Sequence, residues 1–507
     1  MVTKLISRDR LDLRLVAMLL TVTWLLGEAT SWGQAGKAIG GGGAAAAIKN
    51  NNNNNNNGNN NNNNNNGNNG NNGNNGLNNG LFLPNMFQQM RGVGGISIQA
   101  DGFVENASTD ALGKLSRLRS EAIAEVPADL QEAVPLRKIS LRRLDEAIGE
   151  AMKAGKPISD ELALLGGLQQ IRYVFVYPEQ KDIVLVGPAE GWQVDKRGNF
   201  IGATTGRPVM LLDDLIVAIR TAAGAARSGI TCSIDPTPEG RQALSAHLAN
   251  VKTAGNPRVT AAGIEKALGR QQVTFTGVSA TSHFAAVLLA ADYRMKRLAM
   301  NFERCPVRGL PSFLTMIASS GQTMTNMMPR WWLEPTYTSV VRDPAGMAWE
   351  LNGSGVKCLT EEGFFAANGS REVAARPGVI AQKWADTMTE HYAELAVAEP
   401  IFGELRNCME LAVVGALVGR EHLTEKAGCS FAMLTNESSL RVIELPAARE
   451  LDSKVSMLKK GTNWIMSASG GVSIRPMEIV ARVQSGDAPA AARAKAAPAS
   501  SGHWCWN

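Results

Sequence analysis

The sequence is poor in the residues that build most metal and redox centres. It contains five histidines and six cysteines in 507 residues, and no two cysteines form a C-x-x-C pair. This spacing excludes thioredoxin-like and zinc-ribbon sites. The signatures H-E-x-x-H, G-x-S-x-G and G-x-G-x-x-G are absent as well. We therefore expect no cofactor, and the motifs assign no catalytic residue.

The cysteines are too sparse for a disulfide scaffold. Six cysteines could pair in 15 ways, and the sequence does not choose among them. Buried free thiols are the alternative. Within a Ser-Gly-His-Trp-Cys-Trp-Asn segment, Cys505 is the cysteine that we expect to be unpaired or intermolecular.

An excess of one charge and long apolar runs are also missing. The chain carries 51 basic and 46 acidic side chains, a formal charge of +5, and the two signs are interleaved. This mild, unclustered charge excludes a nucleic-acid-binding surface. Beyond residue 35, no apolar run approaches the roughly 20 residues that cross a bilayer. The best run, Leu411–Val418, predicts a buried helix, so we expect no transmembrane segment in the mature chain.

The first 35 residues predict an export signal. A moderately basic segment precedes the apolar run Leu15–Leu26, whose length is typical of a signal peptide and too short to cross a bilayer. Gly33 and Ala35 place small residues where signal peptidase reads the chain. We therefore predict cleavage after Ala35 and a periplasmic or extracellular protein, with an uncleaved membrane anchor as the alternative.

Two segments have compositions that cannot build a core. Residues 36–90 hold a Gly/Ala patch and a tract of asparagine and glycine, Asn50–Asn79, and residues 483–507 include an Ala/Pro-rich stretch. Such segments bury little apolar area, so nothing offsets the entropy lost on ordering. We predict a disordered linker over 36–90 and a disordered tail over 483–507. The asparagine tract is either a spacer, a self-associating segment or an expanded repeat without a role.

The remaining residues predict an α+β fold in two units. Residues 91–236 show β-branched and aromatic runs separated by turn residues, which indicate an antiparallel meander with helices. Residues 237–482 are richer in helical patterns but keep several strands, which indicates a mixed α/β domain.

The same patterns predict individual helices and strands. Helices are predicted over Ser140–Lys153, from Asp213 through Arg220, after the Thr281-Ser282 cap, over Ala381–Ala398 and over Phe402–Arg420; a strand and turn over Phe431–Leu440; and a hairpin loop over Ser467–Gly471.

The most distinctive local sequence is Pro329-Arg-Trp-Trp-Leu-Glu-Pro335. Adjacent side chains of an extended segment point to opposite faces, so Trp331 and Trp332 cannot both face inward. One exposed indole beside Arg330 and Glu334 would form a platform for a sugar ring or a peptide. These four residues are our ligand-binding candidates, and the alternative is that both tryptophans pack in the interior.

Histidine occurs in three places that merit comment. His391 and Glu394 form one E-H-x-x-E segment, and His422 and Glu425 form a second. Residues three apart share one helix face, so the two pairs are weak candidates for a metal site. Ordinary charge pairs at helix ends are the competing interpretation. His283 follows a helix cap and is either a general base or a structural histidine.

Several phrases of the sequence resemble those of a planctomycete family of exported proteins known only as a domain of unknown function. They are Tyr173–Glu179, Gly187–Trp192, Ala290–Leu298, Pro329–Trp332 and Gly403–Asn407, and the resemblance covers most of the span from Gly95 to Arg420. The resemblance implies export to a bacterial envelope or beyond. It implies no catalytic residue.

The sequence as a whole predicts an exported, non-catalytic binding or structural protein of the bacterial cell envelope. The missing catalytic motifs and the long low-complexity linker support this hypothesis. Its partner would be an envelope or extracellular protein or polysaccharide. The alternative is an envelope hydrolase that uses paired carboxylates, which need no short motif.

Overall fold

A computed structural model describes residues 125–250, 256–321, 328–365, 371–373, 378–456, 458–460, 463–465, 469–496 and 502–507, together with three short strands between residues 92 and 106. The predicted signal peptide and asparagine tract lie outside these residues. Within them the fold is mixed α/β, as the sequence predicts.

Strands from both halves of the sequence join one large sheet. In chain order the described strands are β1 (Gly92–Val93), β2 (Ile96–Ile98), β3 (Val104–Asn106), β4 (Val134–Ser140), β5 (Tyr173–Tyr177), β6 (Asp182–Ala189), β7 (Trp192–Val194), β8 (Phe200–Gly202), β9 (Ile230–Pro236), β10 (Arg270–Thr276), β11 (Met328–Arg342), β12 (Ala348–Phe365), β13 (Arg371–Val373), β14 (Glu450–Asp452), β15 (Leu458–Lys460), β16 (Asn463–Ile465), β17 (Ser469–Ile474), β18 (Gln484–Ser485) and β19 (Cys505–Trp506). The order in the sheet is β14-β10-β9-β17-β11-β12-β5-β6-β4-β19, with β13 beside β12 and β18 beside β11. Neighbouring strands are antiparallel except where β11 meets β17 and β18.

Helices cover the faces of this sheet. The described helices are α1 (Ala128–Gln131), α2 (Leu141–Lys153), α3 (Asp160–Ala163), α4 (Leu212–Ser228), α5 (Pro238–Asn250), α6 (Pro257–Leu268), α7 (His283–Ala299), α8 (Phe313–Ser319), α9 (Val379–Glu390), α10 (Tyr392–Ala398), α11 (Pro400–Arg420), α12 (Leu423–Ala427), α13 (Ala432–Thr435), α14 (Pro476–Ala481) and α15 (Ala488–Lys495). None of them is long and apolar enough to span a membrane. Two serine caps are present: Ser140 accepts the Arg143 N–H at the start of α2, and Ser282 accepts the Ala285 N–H at the start of α7. Asp213 and Asp214 lie inside the first turn of α4, and the residue before that helix is Leu211.

The main core lies between one sheet face and the helices α4, α7 and α11. Helix α11 contacts α4 and α7, and α7 contacts β9 and β17. Residues opposite one another on paired strands share a sheet face, so Trp331 and Ile234, which are both paired with Gly470, point together into this core. We call this face the inner face and the opposite one the outer face.

The six cysteines all lie among the described residues and are free thiols. Burial raises the pKa of Cys232, Cys358 and Cys408 well above the ordinary value, so these thiols are protonated and unreactive at neutral pH.

The structure differs from the predictions in two segments of the second half of the chain. Where a strand and turn were expected, residues 432–435 form α13, because Asp145 on α2 accepts the backbone N–H groups of Ala432, Met433 and Leu434. Where a hairpin loop was expected, Ser469 begins β17, which lies between β9 and β11. Both segments take their structure from distant neighbours.

The segment over 483–507, predicted to be disordered, contains ordered structure. Ala492 on α15 and Ala496 directly after this helix pack against an aromatic cluster on the outer face of β5. Strand β19 pairs with β4 at the edge of the sheet. Composition describes only the segment itself, so it could not show that an apolar surface elsewhere in the fold, the aromatic cluster on β5, is there to receive it.

Candidate functional site

The two adjacent tryptophans lie on opposite faces of the sheet. Trp331 is fully buried on the inner face, with its ring centroid 4.9 Å from that of Phe313 and 4.7 Å from that of Trp384. A ligand that stays at the surface therefore cannot reach Trp331. Trp332 is half-buried and, by strand alternation, points to the outer face.

On the outer face, Trp332 packs against Arg330 and β17. The Arg330 guanidinium carbon lies 4.3 Å from the centre of the Trp332 ring, and its Nη2 lies 3.3 Å from Asp235 Oδ1. A Cβ atom on Gly471 would lie 2.5 Å from Cζ3 of Trp332, so the indole lies against β17 where only a glycine leaves room. We call Arg330, Trp332 and Asp235 the tryptophan platform.

Glu334 lies two residues after Trp332 on β11, so its side chain is on the same outer face. Its carboxylate lies 3.8 Å from the Lys357 ammonium on β12, and only 16% of its side chain is exposed. Burial raises the pKa of Glu334 above its ordinary value, and the Lys357 charge opposes this shift. Among the described residues, Glu334 Oε1 has no hydrogen-bond partner. Three of the four candidates, Arg330, Trp332 and Glu334, thus share one face, and Trp331 does not.

The two E-H-x-x-E segments form separate surface pairs. His391 Nδ1 lies 3.4 Å from Glu394 Oε1 at the junction of α9 and α10. His422 Nδ1 lies 3.5 Å from Glu425 Oε1 at the start of α12, and both side chains are more than 60% exposed. Within the described ranges no group of three or more His, Cys, Asp or Glu residues could hold a metal ion. Each pair has the geometry of an ordinary exposed charge pair.

A second polar group lies at the starts of two core helices. His283, the first residue of α7, places Nδ1 3.0 Å and 3.1 Å from the two carboxylate oxygens of Asp214 in the first turn of α4. Asp213 stands beside Asp214, and the electrostatic influence of Glu404 on α11 also reaches His283. Burial, with the charge of Asp214 adding to it, raises the pKa of the Cys408 thiol on α11.

The environment of this group changes the protonation of two members. Burial lowers the pKa of His283, but the charge of Asp214 and the hydrogen bond to it outweigh burial and raise the pKa to about 9. Burial raises the pKa of Asp213 to about 7, and the adjacent charge of Asp214 adds to the shift. Asp213 Oδ1 is buried and has no hydrogen-bond partner among the described residues. At neutral pH, His283 is therefore an imidazolium, and Asp213 is partly protonated.

Sequence reasoning considered His283 but did not connect it to Asp213 and Asp214, which lie about 70 positions earlier in the chain. The only local signals are the Thr281-Ser282 cap before His283 and two acidic residues at the start of a helix. No rule of sequence spacing predicts that His283 lies close to these two acidic residues.

Comparison with known proteins adds one finding. A domain described as "Protein of unknown function (DUF1598)" lies at residues 232–313. The DUF1598 segment begins within β9, contains α5, α6, β10 and α7, and ends at the first residue of α8. It includes His283 and Asp235 but not Trp332. No curated protein and no solved structure matches the chain.

Proposed function

We propose that this is an exported, non-catalytic protein of the bacterial envelope that binds a polysaccharide on its tryptophan platform. The observation that carries the proposal is the half-buried Trp332 ring on the sheet face opposite the main core, with Arg330 stacked on it. Arg330 and β17 hold the indole, which offers the part of its apolar surface that they leave exposed, in a fixed orientation and at a low cost in side-chain entropy.

The surroundings of Trp332 favour a glycan over a peptide. Both edges of β11 are paired in the Arg330–Leu333 region, with β12 on one side and β17 on the other, so a peptide cannot add there as a further strand. Recognition must therefore use side chains. Sugar rings present an apolar face for an aromatic ring and hydroxyl groups for planar charged groups, which Arg330 and Asp235 supply.

Co-sedimentation with insoluble polysaccharides tests this proposal. The full mature protein is mixed with peptidoglycan sacculi, chitin or cellulose, and the bound fraction is measured across concentrations. We expect Trp332→Ala and Arg330→Ala each to weaken binding to the preferred polysaccharide at least tenfold, which corresponds to about 1.4 kcal/mol.

Arg172 provides the matched control. Its guanidinium carbon lies 5.3 Å from the centre of the Tyr173 ring, and its Nη2 lies 3.4 Å from Glu350 Oε1, so it repeats the arrangement of arginine, aromatic ring and carboxylate elsewhere on the sheet. Arg172→Ala should leave binding unchanged. Equal loss in the Arg172 and Arg330 variants would contradict the assignment of the site. Release of soluble sugars in the same assay would instead favour the alternative, a hydrolase.

Export is the other part of the proposal. The segment before Ala35 and the resemblance to exported planctomycete proteins support it. We expect amino-terminal sequencing of the protein purified from its own cells to begin at Gly36. Recovery of the intact Met1 end in the soluble intracellular fraction would contradict export.

A further inference from the structure

Residues 502–507 dock on the edge of the large sheet in the way that a bound peptide does. In β19, Cys505 and Trp506 pair with Ile139 and Lys138 of β4. Strand β4 is paired with β6 on its other side, so among the described residues β19 is the last strand at this end of the sheet. Without β19, β4 would offer its backbone donors and acceptors to another extended segment. We call residues 502–507 the arm.

Side chains of the arm fit a matching surface on the rest of the protein. Trp504 is 5% exposed, and its Cη2 atom lies 3.4 Å from where a Cβ atom on Gly166 would be, so a side chain larger than alanine there would enter the space of the indole. The Asn507 side chain accepts a hydrogen bond from Arg137 Nε over 2.8 Å and donates one to the Asp129 carbonyl over 3.0 Å. We call this surface the socket; it consists of Asp129, Arg137, Gly166 and the edge of β4.

The socket is formed without help from the arm. Arg137 is fully buried. Its terminal nitrogens donate to three backbone carbonyls, those of Leu130, Glu132 and Gly166. These bonds hold the guanidinium in place, so Nε keeps its orientation whether or not Asn507 is bound. A site that is already formed loses little entropy when a peptide binds to it.

The arm is attached independently of the helix that precedes it. Helix α15 is held on β5 by its own hydrogen bonds, since Arg493 Nε donates to the Val176 carbonyl over 2.8 Å and the Tyr177 hydroxyl donates to the Arg493 carbonyl over 2.8 Å. Five residues, 497–501, connect Ala496 to the arm, and five residues span up to about 17 Å when they are extended. An arm that leaves its socket is therefore within reach of the socket of a second copy at the same sheet edge.

We propose that the arm is exchanged between two copies of this chain, so that the arm of each copy fills the socket of the other. The exchanged dimer makes the same arm contacts as the closed monomer, so the two forms differ mainly in association entropy. Each monomer holds its own arm at a high local concentration, so the closed form predominates in dilute solution. This inference is independent of the proposed polysaccharide binding.

Binding of the arm as a separate peptide tests the socket. A fluorescein-labelled peptide with the sequence of residues 502–507 is titrated with the full mature protein under reducing conditions, and fluorescence anisotropy is measured. Trp504→Ala weakens the resident arm, so we expect this variant to bind the peptide about tenfold more tightly than the wild type does. A peptide that carries the same substitution should bind the variant about tenfold more weakly. Asn507→Ala, a milder change to the resident arm, replaces Trp504→Ala if that variant does not fold.

Equal affinity of the peptide for the wild type and the variant would place its binding elsewhere on the protein and overturn the proposal. The absence of binding to a folded variant would overturn it as well.

Mixing two variants tests exchange between chains. Gly166→Leu fills the socket but keeps the arm, whereas Trp504→Ala keeps the socket but weakens the arm. We expect each variant alone to be monomeric and their equimolar mixture to contain a heterodimer, because one intact arm then meets one intact socket. Size-exclusion chromatography with light scattering measures the mass. The control is a chain with both substitutions, which has no intact arm and should form no heterodimer with the Trp504→Ala variant.

Two folded variants that stay monomeric when mixed would overturn the exchange. Circular dichroism checks folding, because Gly166 has a φ of 58°, which strains a leucine at this position. If Gly166→Leu does not fold, sedimentation velocity of the wild type over a concentration series decides. We then expect a dimer that grows with concentration and is absent in Trp504→Ala. A wild type that stays monomeric up to about 1 mM, the local concentration of a tethered arm, would contradict the proposal.

Discussion

Replacing Trp331 with alanine will lower the free energy of unfolding by about 4 kcal/mol. The side chain is fully buried and packs against the rings of Phe313 and Trp384, both of which belong to the same buried core. A closely packed core collapses only partly around a missing indole, so the loss combines the transfer of apolar atoms with the cavity that remains. Urea denaturation of the full mature protein, followed by circular dichroism, measures the change.

Trp332→Ala is the matched control for this experiment. It removes the same number of atoms one residue away, from a half-buried position on the outer face. We expect a loss of about 1 kcal/mol, because partial exposure leaves less apolar area to lose. If the two variants were equally destabilised, the assignment of Trp331 to the core and of Trp332 to the binding surface would be wrong. A Trp332 variant that folds normally also keeps the binding experiment interpretable.

Parts of the fold with strong local signals were predictable from the sequence. Strand β5 consists of β-branched and aromatic residues, and the Pro178 turn after it directs the chain back into β6. Helix α7 has both a serine cap and an apolar face at helical spacing. In each case the local preference and the tertiary contacts favour the same conformation, and the prediction needs no knowledge of distant residues.

Strand β17 illustrates why other parts were not predictable. It begins Ser-Gly-Gly, and glycine has a low preference for strands. A Cβ atom on Gly470 would lie 1.9 Å from the Trp331 carbonyl oxygen, and one on Gly471 would lie 2.2 Å from the Cys232 carbonyl oxygen. These glycines are present because two neighbouring strands approach closely. That requirement becomes visible only when β9 and β11 are in place.

The polar group around His283 shows the same limitation for a site. Two helix starts meet because α4 and α7 both pack on α11, and this packing depends on apolar faces rather than on the polar residues. The sequence therefore contains the members of this polar group but does not show that they lie close together. By contrast, the alternation of side chains along a strand is a local rule. For Trp331 and Trp332 it predicts from the sequence alone that the two rings lie on opposite faces of the sheet.

Replacing Trp504 with alanine will lower the free energy of unfolding by about 3 kcal/mol. Trp504 is 5% exposed and packs over Gly166, and its carbonyl accepts the Ser140 N–H over 2.8 Å beside the start of α2. The segment around Trp504 also accepts a hydrogen bond from a buried cation, because Arg137 Nε donates to Asn507 Oδ1 over 2.8 Å. Loss of the anchor loosens β19, and the buried Arg137 side chain then loses one of its hydrogen-bond partners, which adds to the cost. Urea denaturation measures this variant in the same way.

Trp506→Ala separates anchoring from strand pairing. Trp506 lies in β19 itself, is half-buried and packs at the edge of the aromatic cluster, so we expect a loss of about 1 kcal/mol. A disordered segment, which the composition of residues 483–507 predicts, would make both substitutions silent. Two silent substitutions would mean that the contacts of Trp504 do not hold the sheet edge. A large effect confined to Trp504 would show that one buried indole orders a segment whose own composition resists folding, because its stability comes from the surface that receives it.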